Sequence, residues 1–253
     1  MKQFAGLSVV ISGGSSGIGL TTALAFQQAG AKVMVADVKP PAGGHESLGF
    51  TKLDVGDEKG WQELMTGFVP DVLVNNAGIP LGPHQPAQDP ESCLLEDWQA
   101  VQRVNLEGVF LGCKHAIKVM KAKANDGGVI VNIASISGKM GTPWASPYGA
   151  TKAAVINHTK AVALYCGSKG YPIRCNAVLP GPIRTPIWDP MLGRWQSQDE
   201  AEKALAKGVP MQRFGDPEEV SKLILFLASS SSSYCNGGEY TVDGGHLGGY
   251  FVP

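Results

Sequence analysis

The chain has 253 residues, of which 43% are hydrophobic and 17% charged, so it can bury a large core and is not a disordered protein. Its formal charge of −1 supplies no basic field, so we expect neither nucleic acid nor an acidic membrane surface as a partner. Because a strand pattern begins almost at Met1 and no apolar run approaches roughly 18 residues, we expect neither a signal peptide nor a membrane span.

Short apolar runs alternate along the chain with stretches of helical period. The apolar runs predict strands over residues 7–12, 31–37, 49–53, 71–75, 128–133, 173–179 and 239–242. The periodic stretches predict helices over about 17–29, 95–123, 146–169 and 218–229. Continuous apolar strands are typical of a parallel sheet covered on both faces. We therefore predict an α/β protein with one doubly wound Rossmann domain over residues 1–253 and a seven-stranded parallel sheet.

The cysteines and histidines indicate neither a disulfide framework nor a metal centre. An odd count of five cysteines, without a Cys-x-x-Cys pair, favours free thiols and a reducing compartment, so we expect a cytoplasmic protein. The five histidines lie far apart, without a His-Glu-x-x-His motif or clustered carboxylates, so we expect no metal. We interpret His84 as a surface loop residue and His158 as a helix packing residue.

A glycine-rich turn, Ser12-Gly-Gly-Ser-Ser-Gly-Ile-Gly19, joins the first predicted strand to the first helix. A helix start presents free N–H groups, and glycines let a pyrophosphate approach them, although glycines serve ordinary turns as well. Asp37 ends the second strand, where its carboxylate would bind adenosine ribose hydroxyls and repel a 2′-phosphate. Lys39 would partly offset that repulsion, but no arginine follows Asp37, so the pattern predicts NAD rather than NADP. Asp54, after the third strand, is either an adenine contact or a turn cap.

Further polar residues lie where catalysis in such a sheet would need them. Tyr148 and Lys152 are four residues apart and share one helix face, although such a pair by itself is usual on a solvated face. Ser135 lies at the carboxyl end of a strand, which is where open α/β sheets bind ligands. The other polar or glycine-containing motifs are Asn105 within the long predicted helix, Asn75-Asn-Ala-Gly78 after the fourth strand and Pro180-Gly181 after the sixth.

These motifs, in this order, resemble those of the NAD-linked members of the short-chain dehydrogenase/reductase family, from about residue 4 to about residue 245. The resemblance implies a catalytic tetrad of Asn105, Ser135, Tyr148 and Lys152. The cofactor contacts that it implies are Gly13, Ser15, Ser16, Ile18, Asp37, Asp54, Val55, Asn76, Ala77, Gly78, Tyr148, Lys152, Pro180, Gly181, Ile183 and Thr185. Relative to the family, the Pro/Gly stretch 40–44 and the short segment before Asp71 are expected to reduce two crossover helices.

The residue types suit interconversion of an alcohol and a ketone. A free tyrosine has a pKa of about 10 and is a poor base near neutrality, so the Lys152 ammonium and a positive nicotinamide ring are expected to favour its phenolate. Ser135 would hold the substrate oxygen against Tyr148 by a hydrogen bond. By the resemblance, Asn105 bends its helix locally and holds a water that passes the proton from Lys152 to solvent.

Substrate specificity is expected from the loops at the carboxyl ends of the strands. Residues 186–213 predict a lid with an apolar inner face, although a Trp- and Met-bearing stretch is also typical of a core. Without an Arg or Lys cluster for a phosphate or a carrier protein, we predict a hydrophobic secondary alcohol or ketone as substrate. The predicted substrate contacts are Ser135, Tyr148, Met140, Trp144, Trp188, Met191 and Leu192.

The apolar, Gly-rich tail 244–253 is either frayed or packed against a neighbouring subunit, and the resemblance favours packing in a homotetramer. Two rival functions remain open at this point. The first is an NADPH-dependent 3-oxoacyl reductase that acts on a carrier-bound chain, which Asp37 disfavours. The second is a non-catalytic nucleotide-sensing protein, which the complete tetrad disfavours.

Overall fold

One sheet of seven parallel strands organises the protein, in the order β3-β2-β1-β4-β5-β6-β7. The computed structural model describes residues 2–41, 43, 45, 47–84, 88–123, 127–189 and 197–249. The strands are β1 (Ser8–Ser12), β2 (Lys32–Asp37), β3 (Gly49–Lys52), β4 (Val72–Asn75), β5 (Gly128–Ile133), β6 (Ile173–Pro180) and β7 (Glu239–Val242). The predicted doubly wound α/β fold with seven parallel strands is thereby confirmed.

Helices cover both faces of the sheet. The described α-helices are α1 (Gly17–Gln28), α2 (Glu58–Gly67), α3 (Leu95–Gln102), α4 (Gly108–Met120), α5 (Ser146–Ser168), α6 (Gln198–Ala206) and α7 (Pro217–Ala228). One apolar core packs α2, α4 and α5 on the sheet, with Trp61 fully buried in it. The other packs α1 and α7 on the opposite face, with Phe26 and Ile224 at its centre. This two-faced burial explains why the central strands are mainly apolar rather than alternating.

The strand order places the carboxyl ends of β1 and β4 side by side at the switch point of the sheet, where doubly wound folds open a ligand crevice. The Ser12 hydroxyl ties the two ends together, because it accepts hydrogen bonds from the backbone N–H groups of Asn76 (3.1 Å) and Ala77 (3.2 Å). The glycine-rich turn and the Asn-Asn-Ala-Gly motif are therefore one local structure.

The segment before Asp71 forms a complete helix of ten residues, α2, so the expectation of a reduced crossover helix there is wrong. The Asp57 side chain caps its start by accepting from the backbone N–H of Lys59 at 3.0 Å. Trp61, Leu64 and Met65 form its buried face, at the spacing that puts residues on one side of a helix. Between β2 and β3, the described residues (38–41, 43, 45, 47 and 48) lie in no helix, as predicted.

All five cysteines are free thiols. Across the described ranges, no helix combines the length and apolar character needed to cross a membrane. The same residues contain no group of three or more His, Cys, Asp or Glu side chains suited to a metal ion.

Candidate active site

The carboxyl ends of the strands open into a cleft of about 1070 Å³. Ser135, Tyr148 and Lys152 of the predicted tetrad line it, and so do Met140, Trp144 and Trp188 of the predicted substrate contacts. The predicted cofactor residues in its wall are Gly13, Ser16, Ile18, Asp37, Asp54, Val55, Asn76, Ala77, Gly78, Pro180, Gly181, Ile183 and Thr185. Residues that the sequence predicted separately for cofactor, chemistry and substrate thus meet in one cleft.

The glycine-rich turn has the backbone that a pyrophosphate requires. Gly13 has φ +64°, and a Cβ there would lie 2.6 Å from the Cα of Ala77, so no larger residue fits. At the start of α1, Ser16 makes no side-chain capping hydrogen bond and the first turn holds no acidic residue. The N–H groups of this helix start are therefore free of a side-chain cap, and they fit the negative charge of a dinucleotide.

Asp37 ends β2 with its carboxylate in the wall of the cleft. The carboxylate accepts hydrogen bonds from the backbone N–H groups of Ser15 (3.1 Å) and Lys39 (3.3 Å). Of the predicted cofactor residues, Ser15 does not line the cleft in the described structure. Its hydroxyl instead donates to the Lys39 carbonyl at 2.5 Å. Ser15 thus orients Asp37 and the turn.

Asp54 is a turn cap that also lies in the wall of the cleft, and its contact with adenine stays a prediction. It lines the cleft, and it also accepts from the backbone N–H of Gly56 at 2.9 Å, as a turn cap does. Arg103 donates to both of its carboxylate oxygens, at 3.1 and 2.8 Å. This hydrogen bonding with Arg103 holds the pKa of Asp54 below its usual value, so the group stays ionised near neutrality.

Asn105 lies fully buried in a π turn, Arg103–Glu107, which separates α3 from α4. The predicted helix over 95–123 is thus interrupted where a local bend was expected. The Asn105 amide accepts from the N–H of Ile79 at 2.8 Å and donates to its carbonyl at 2.9 Å. Asn105 therefore fixes Ile79, which lines the cleft, from behind. Its water-holding role stays a prediction.

Lys152 is buried deep in the cleft, where its ammonium donates to the Ile133 carbonyl at 2.9 Å. Burial lowers the pKa of Lys152 to about 8. A Cβ on Gly78 would lie 3.5 Å from the Lys152 Nζ and 3.4 Å from the Asn105 Oδ1. Because Gly78 has no side chain, the space in front of the Lys152 ammonium stays open. Ribose hydroxyls of a cofactor could approach the ammonium there.

Tyr148 projects from α5 one turn before Lys152, and the Lys152 Nζ lies 5.5 Å from the centre of the phenol ring. Burial raises the pKa of Tyr148, while hydrogen bonding with Ser135 acts in the opposite direction. Tyr148 is therefore a phenol at neutral pH before a cofactor binds, and the effect of Lys152 with a nicotinamide ring on its pKa stays a prediction. The Ser135 hydroxyl also accepts from the N–H of Ser137 at 3.1 Å, which fixes it beside Tyr148.

The substrate side of the cleft is mainly apolar. Met140 and Trp144 are 41% and 53% exposed, whereas the Trp188 indole packs on Phe214 at 5.2 Å between ring centres and donates to the Ile183 carbonyl at 2.9 Å. Met191 and Leu192 lie outside the described residues. The lining residues that the sequence analysis did not single out include Ile79, Pro80, Leu205, Gly208 and His246, whose placement depends on tertiary packing.

Ketone reduction is expected to slow as the pH rises through about 8, because the buried Lys152 loses its proton there. Burial depresses the pKa of Lys152 in the folded protein, so its side chain is fully protonated only below that pH. The pKa of Tyr148 is raised, so Tyr148 still carries its proton above that pH. The measurement is kcat/KM for reduction between about pH 6 and about pH 10. A profile that is flat over this range would contradict the prediction.

Comparison with known proteins places the chain among related oxidoreductases. A family model described as Enoyl-(Acyl carrier protein) reductase matches residues 13–246. The chain is 36% identical over 254 residues to the NADP-dependent (R)-specific alcohol dehydrogenase of Lentilactobacillus kefiri, with 95% of this chain and 96% of that protein covered. It is 35% identical over 262 residues to the 3-beta-hydroxysteroid dehydrogenase of Comamonas testosteroni, with 98% of each covered.

A solved structure has the same fold. The ligand-free aldohexose dehydrogenase of Thermoplasma acidophilum matches with a TM-score of 0.89 at 30% identity, covering 100% of this chain and 98% of that chain. The chain belongs to the short-chain dehydrogenase/reductase family, as its motifs predicted, and is an oxidoreductase of that family.

Proposed function

We propose that this protein, as one catalytic domain, is an NAD-dependent enzyme that interconverts a hydrophobic secondary alcohol and its ketone. The observation that carries the proposal is the single cleft in which Ser135, Tyr148 and Lys152 stand beside the uncapped start of α1. An acid–base group, a fixed cation and a dinucleotide cradle in one cavity are what hydride transfer to or from a carbon–oxygen bond needs.

The choice of NAD rests on Asp37. Its carboxylate is held in the cleft wall by two backbone N–H groups, from Ser15 and Lys39, so it cannot turn away from an adenosine ribose without losing them. Two ribose hydroxyls can donate to such a carboxylate, whereas a 2′-phosphate meets charge repulsion. The L. kefiri relative is NADP-dependent, whereas Asp37 argues for NAD in this chain.

The chain's own groups divide the reaction between them. When bound, the nicotinamide supplies or accepts the hydride. Ser135 donates a hydrogen bond to the substrate oxygen, and Tyr148 gives that oxygen a proton in reduction or takes it in oxidation. Lys152 keeps a positive charge beside the phenol, and Asn105 holds Ile79 so that the wall of the cleft stays fixed.

The substrate class follows from the wall of the cleft. Met140, Trp144, Ile187 and Trp188 present apolar surface to the space in front of the catalytic groups. Alcohol and hydroxysteroid dehydrogenases among the relatives support a small alcohol or ketone as substrate. A cyclic, aromatic or steroid-like secondary alcohol is therefore the proposed substrate class.

The specific alternative is an NADPH-dependent 3-oxoacyl reductase. It is favoured by the 37% identity over 255 residues to the 3-oxoacyl-[acyl-carrier-protein] reductase FabG of Thermotoga maritima. A panel of secondary alcohols with NAD, run beside a 3-oxoacyl thioester with NADPH, separates the two activities. We expect NAD reduction with ring alcohols. Turnover of the thioester with NADPH alone would instead establish the alternative, and no turnover in either assay would favour a nucleotide-sensing role.

We also propose that the protein is a cytoplasmic homotetramer in which the tail 244–253 lies at a subunit interface. Residues 250–253 lie outside the described structure. Support comes from Phe110 on α4 and from Leu164 and Tyr165 on α5, which expose apolar surface of the kind that interfaces cover. Size-exclusion chromatography with light scattering is expected to give four times the chain mass. A monomer at micromolar concentration would contradict the proposal.

A further inference from the structure

The cleft contains an ionisable side chain to which the proposed chemistry assigns no task. Five ionisable residues line it in the described structure: Asp37, Asp54, Tyr148, Lys152 and His246. Asp37 and Asp54 belong to the cofactor end, and Tyr148 and Lys152 carry the acid–base chemistry. The imidazole of His246 remains.

His246 lies on the substrate half of the cleft. Asp37 and Asp54 follow β2 and β3 at one edge of the sheet, whereas Ser135 follows β5 and His246 follows β7 at the other. The turn that carries His246 abuts the end of β6, since a Cβ on Gly181 would lie 2.8 Å from the Cα of Asp243. A group held by His246 is therefore on the β7 side of the catalytic groups, away from the adenosine end.

The turn that carries His246 is rigidly built. The Asp243 side chain accepts from the backbone N–H groups of Gly245 (3.0 Å) and Leu247 (2.8 Å). The Asp243 carbonyl accepts from the N–H of His246 itself at 3.2 Å. Three hydrogen bonds to one residue fix the backbone on both sides of His246, which is the preorganisation that a binding residue needs.

One nitrogen of the His246 imidazole has no hydrogen-bond partner among the described residues. Its Nδ1 is buried and makes no hydrogen bond to any described residue. A buried polar atom without a partner is costly, and such a cost is retained at sites where a ligand completes the bonding. Beside the ring, Gly208 carries no side chain, and a Cβ there would lie 3.7 Å from Nε2. This glycine keeps that edge of the imidazole unobstructed.

We infer that His246 is a specificity-determining residue that hydrogen-bonds a second oxygen of the substrate, remote from the reacting carbonyl. The inference rests on the proposed function and narrows its substrate class to ring ketones or alcohols with a further hydroxyl or carbonyl on the β7 side. A neutral imidazole both donates and accepts, so it serves either group. In a wall that is mainly apolar, this contact fixes which way round the ring enters the cleft.

The test uses pairs of ring ketones that differ only by a hydroxyl in place of a methyl group, at successive positions away from the carbonyl. The parent protein is compared with H246F, which removes the polar contact, and with H246Q, which keeps a donor and an acceptor. H45F is the matched control, because His45 lies on the loop between β2 and β3 and is not in the cleft wall. The readout is the ratio of kcat/KM for the hydroxylated ketone to that for the methylated one.

For at least one position of the hydroxyl, H246F is expected to lower this ratio about three- to tenfold, mainly through KM, as the loss of one hydrogen bond does. H246Q restores much of it, and H45F leaves it unchanged. A merely structural role would lower kcat/KM for both ketones together and leave every ratio unchanged, which would overturn the inference. If the parent protein reduces neither ketone of any pair, the proposed function fails first, and the inference falls with it.

Discussion

Replacing Tyr148 by Phe will lower kcat by more than about 10²-fold in both directions while NADH still binds. The substitution removes only the hydroxyl that exchanges a proton with the substrate oxygen, and proton transfer of this kind accounts for at least about 3 kcal/mol of transition-state stabilisation. The ring stays, so its contact with the Lys152 ammonium at 5.5 Å and its packing on α5 are kept. The measurements are steady-state kcat and the dissociation constant of NADH.

A tyrosine on the surface provides the control for this substitution. Tyr234 is fully exposed and does not line the cleft, so Tyr234→Phe is expected to leave kcat within about twofold of the parent value. Near-normal turnover by Tyr148→Phe would remove this residue from the proton transfer. Loss of NADH binding together with turnover would indicate damage to the cleft rather than to the chemistry.

Replacing Asp37 by Ala will lower the preference for NAD over NADP, measured as the ratio of the two kcat/KM values, by at least about tenfold. Removing the carboxylate abolishes its repulsion of a 2′-phosphate, which is strong at short range in a partly buried site. It also frees the backbone N–H groups of Ser15 and Lys39, which now donate to Asp37, so that they can donate hydrogen bonds to a phosphate oxygen. Both changes act in the same direction.

Asp37→Asn separates these two effects. Ser15 and Lys39 donate to different oxygens of Asp37, so the single amide oxygen of Asn keeps only one of these two hydrogen bonds. The negative charge is gone, so a shift in cofactor preference by Asn reports mainly the loss of charge. We expect Asp37→Asn to lower the preference for NAD over NADP, but by less than Asp37→Ala. An unchanged ratio in both variants would show that Asp37 does not select the cofactor.

Much of the fold follows from local sequence signals. The central strands are mainly apolar runs, and burial on both sheet faces makes that pattern clear. Helix α2 was not predicted, although Asp57 is a good N-cap and Trp61, Leu64 and Met65 have helical spacing. The pattern is short, and its stability depends on burial of Trp61, whose indole also donates to the Val55 carbonyl at 2.8 Å.

The candidate site was only partly readable in the sequence. Tyr148 and Lys152 share a helix face by spacing alone, but the deep burial that lowers the pKa of Lys152 comes from packing of α5 against β5 and β6. The π turn at Asn105 followed from the family resemblance, since an asparagine within an apolar helix carries no such signal by itself. His246 lies in a glycine-rich tail whose sequence does not indicate a place in the cleft. The arrangement of β6 and β7 brings it there.

The most direct test of the catalytic assignment is a crystal structure of the protein with NAD and a secondary alcohol that it oxidises. We predict that the Tyr148 Oη lies about 2.6–3.2 Å from the alcohol oxygen, with the carbinol carbon facing the reactive carbon of the nicotinamide ring. A complex in which the alcohol binds at that ring carbon, but out of reach of Tyr148, would contradict the mechanism.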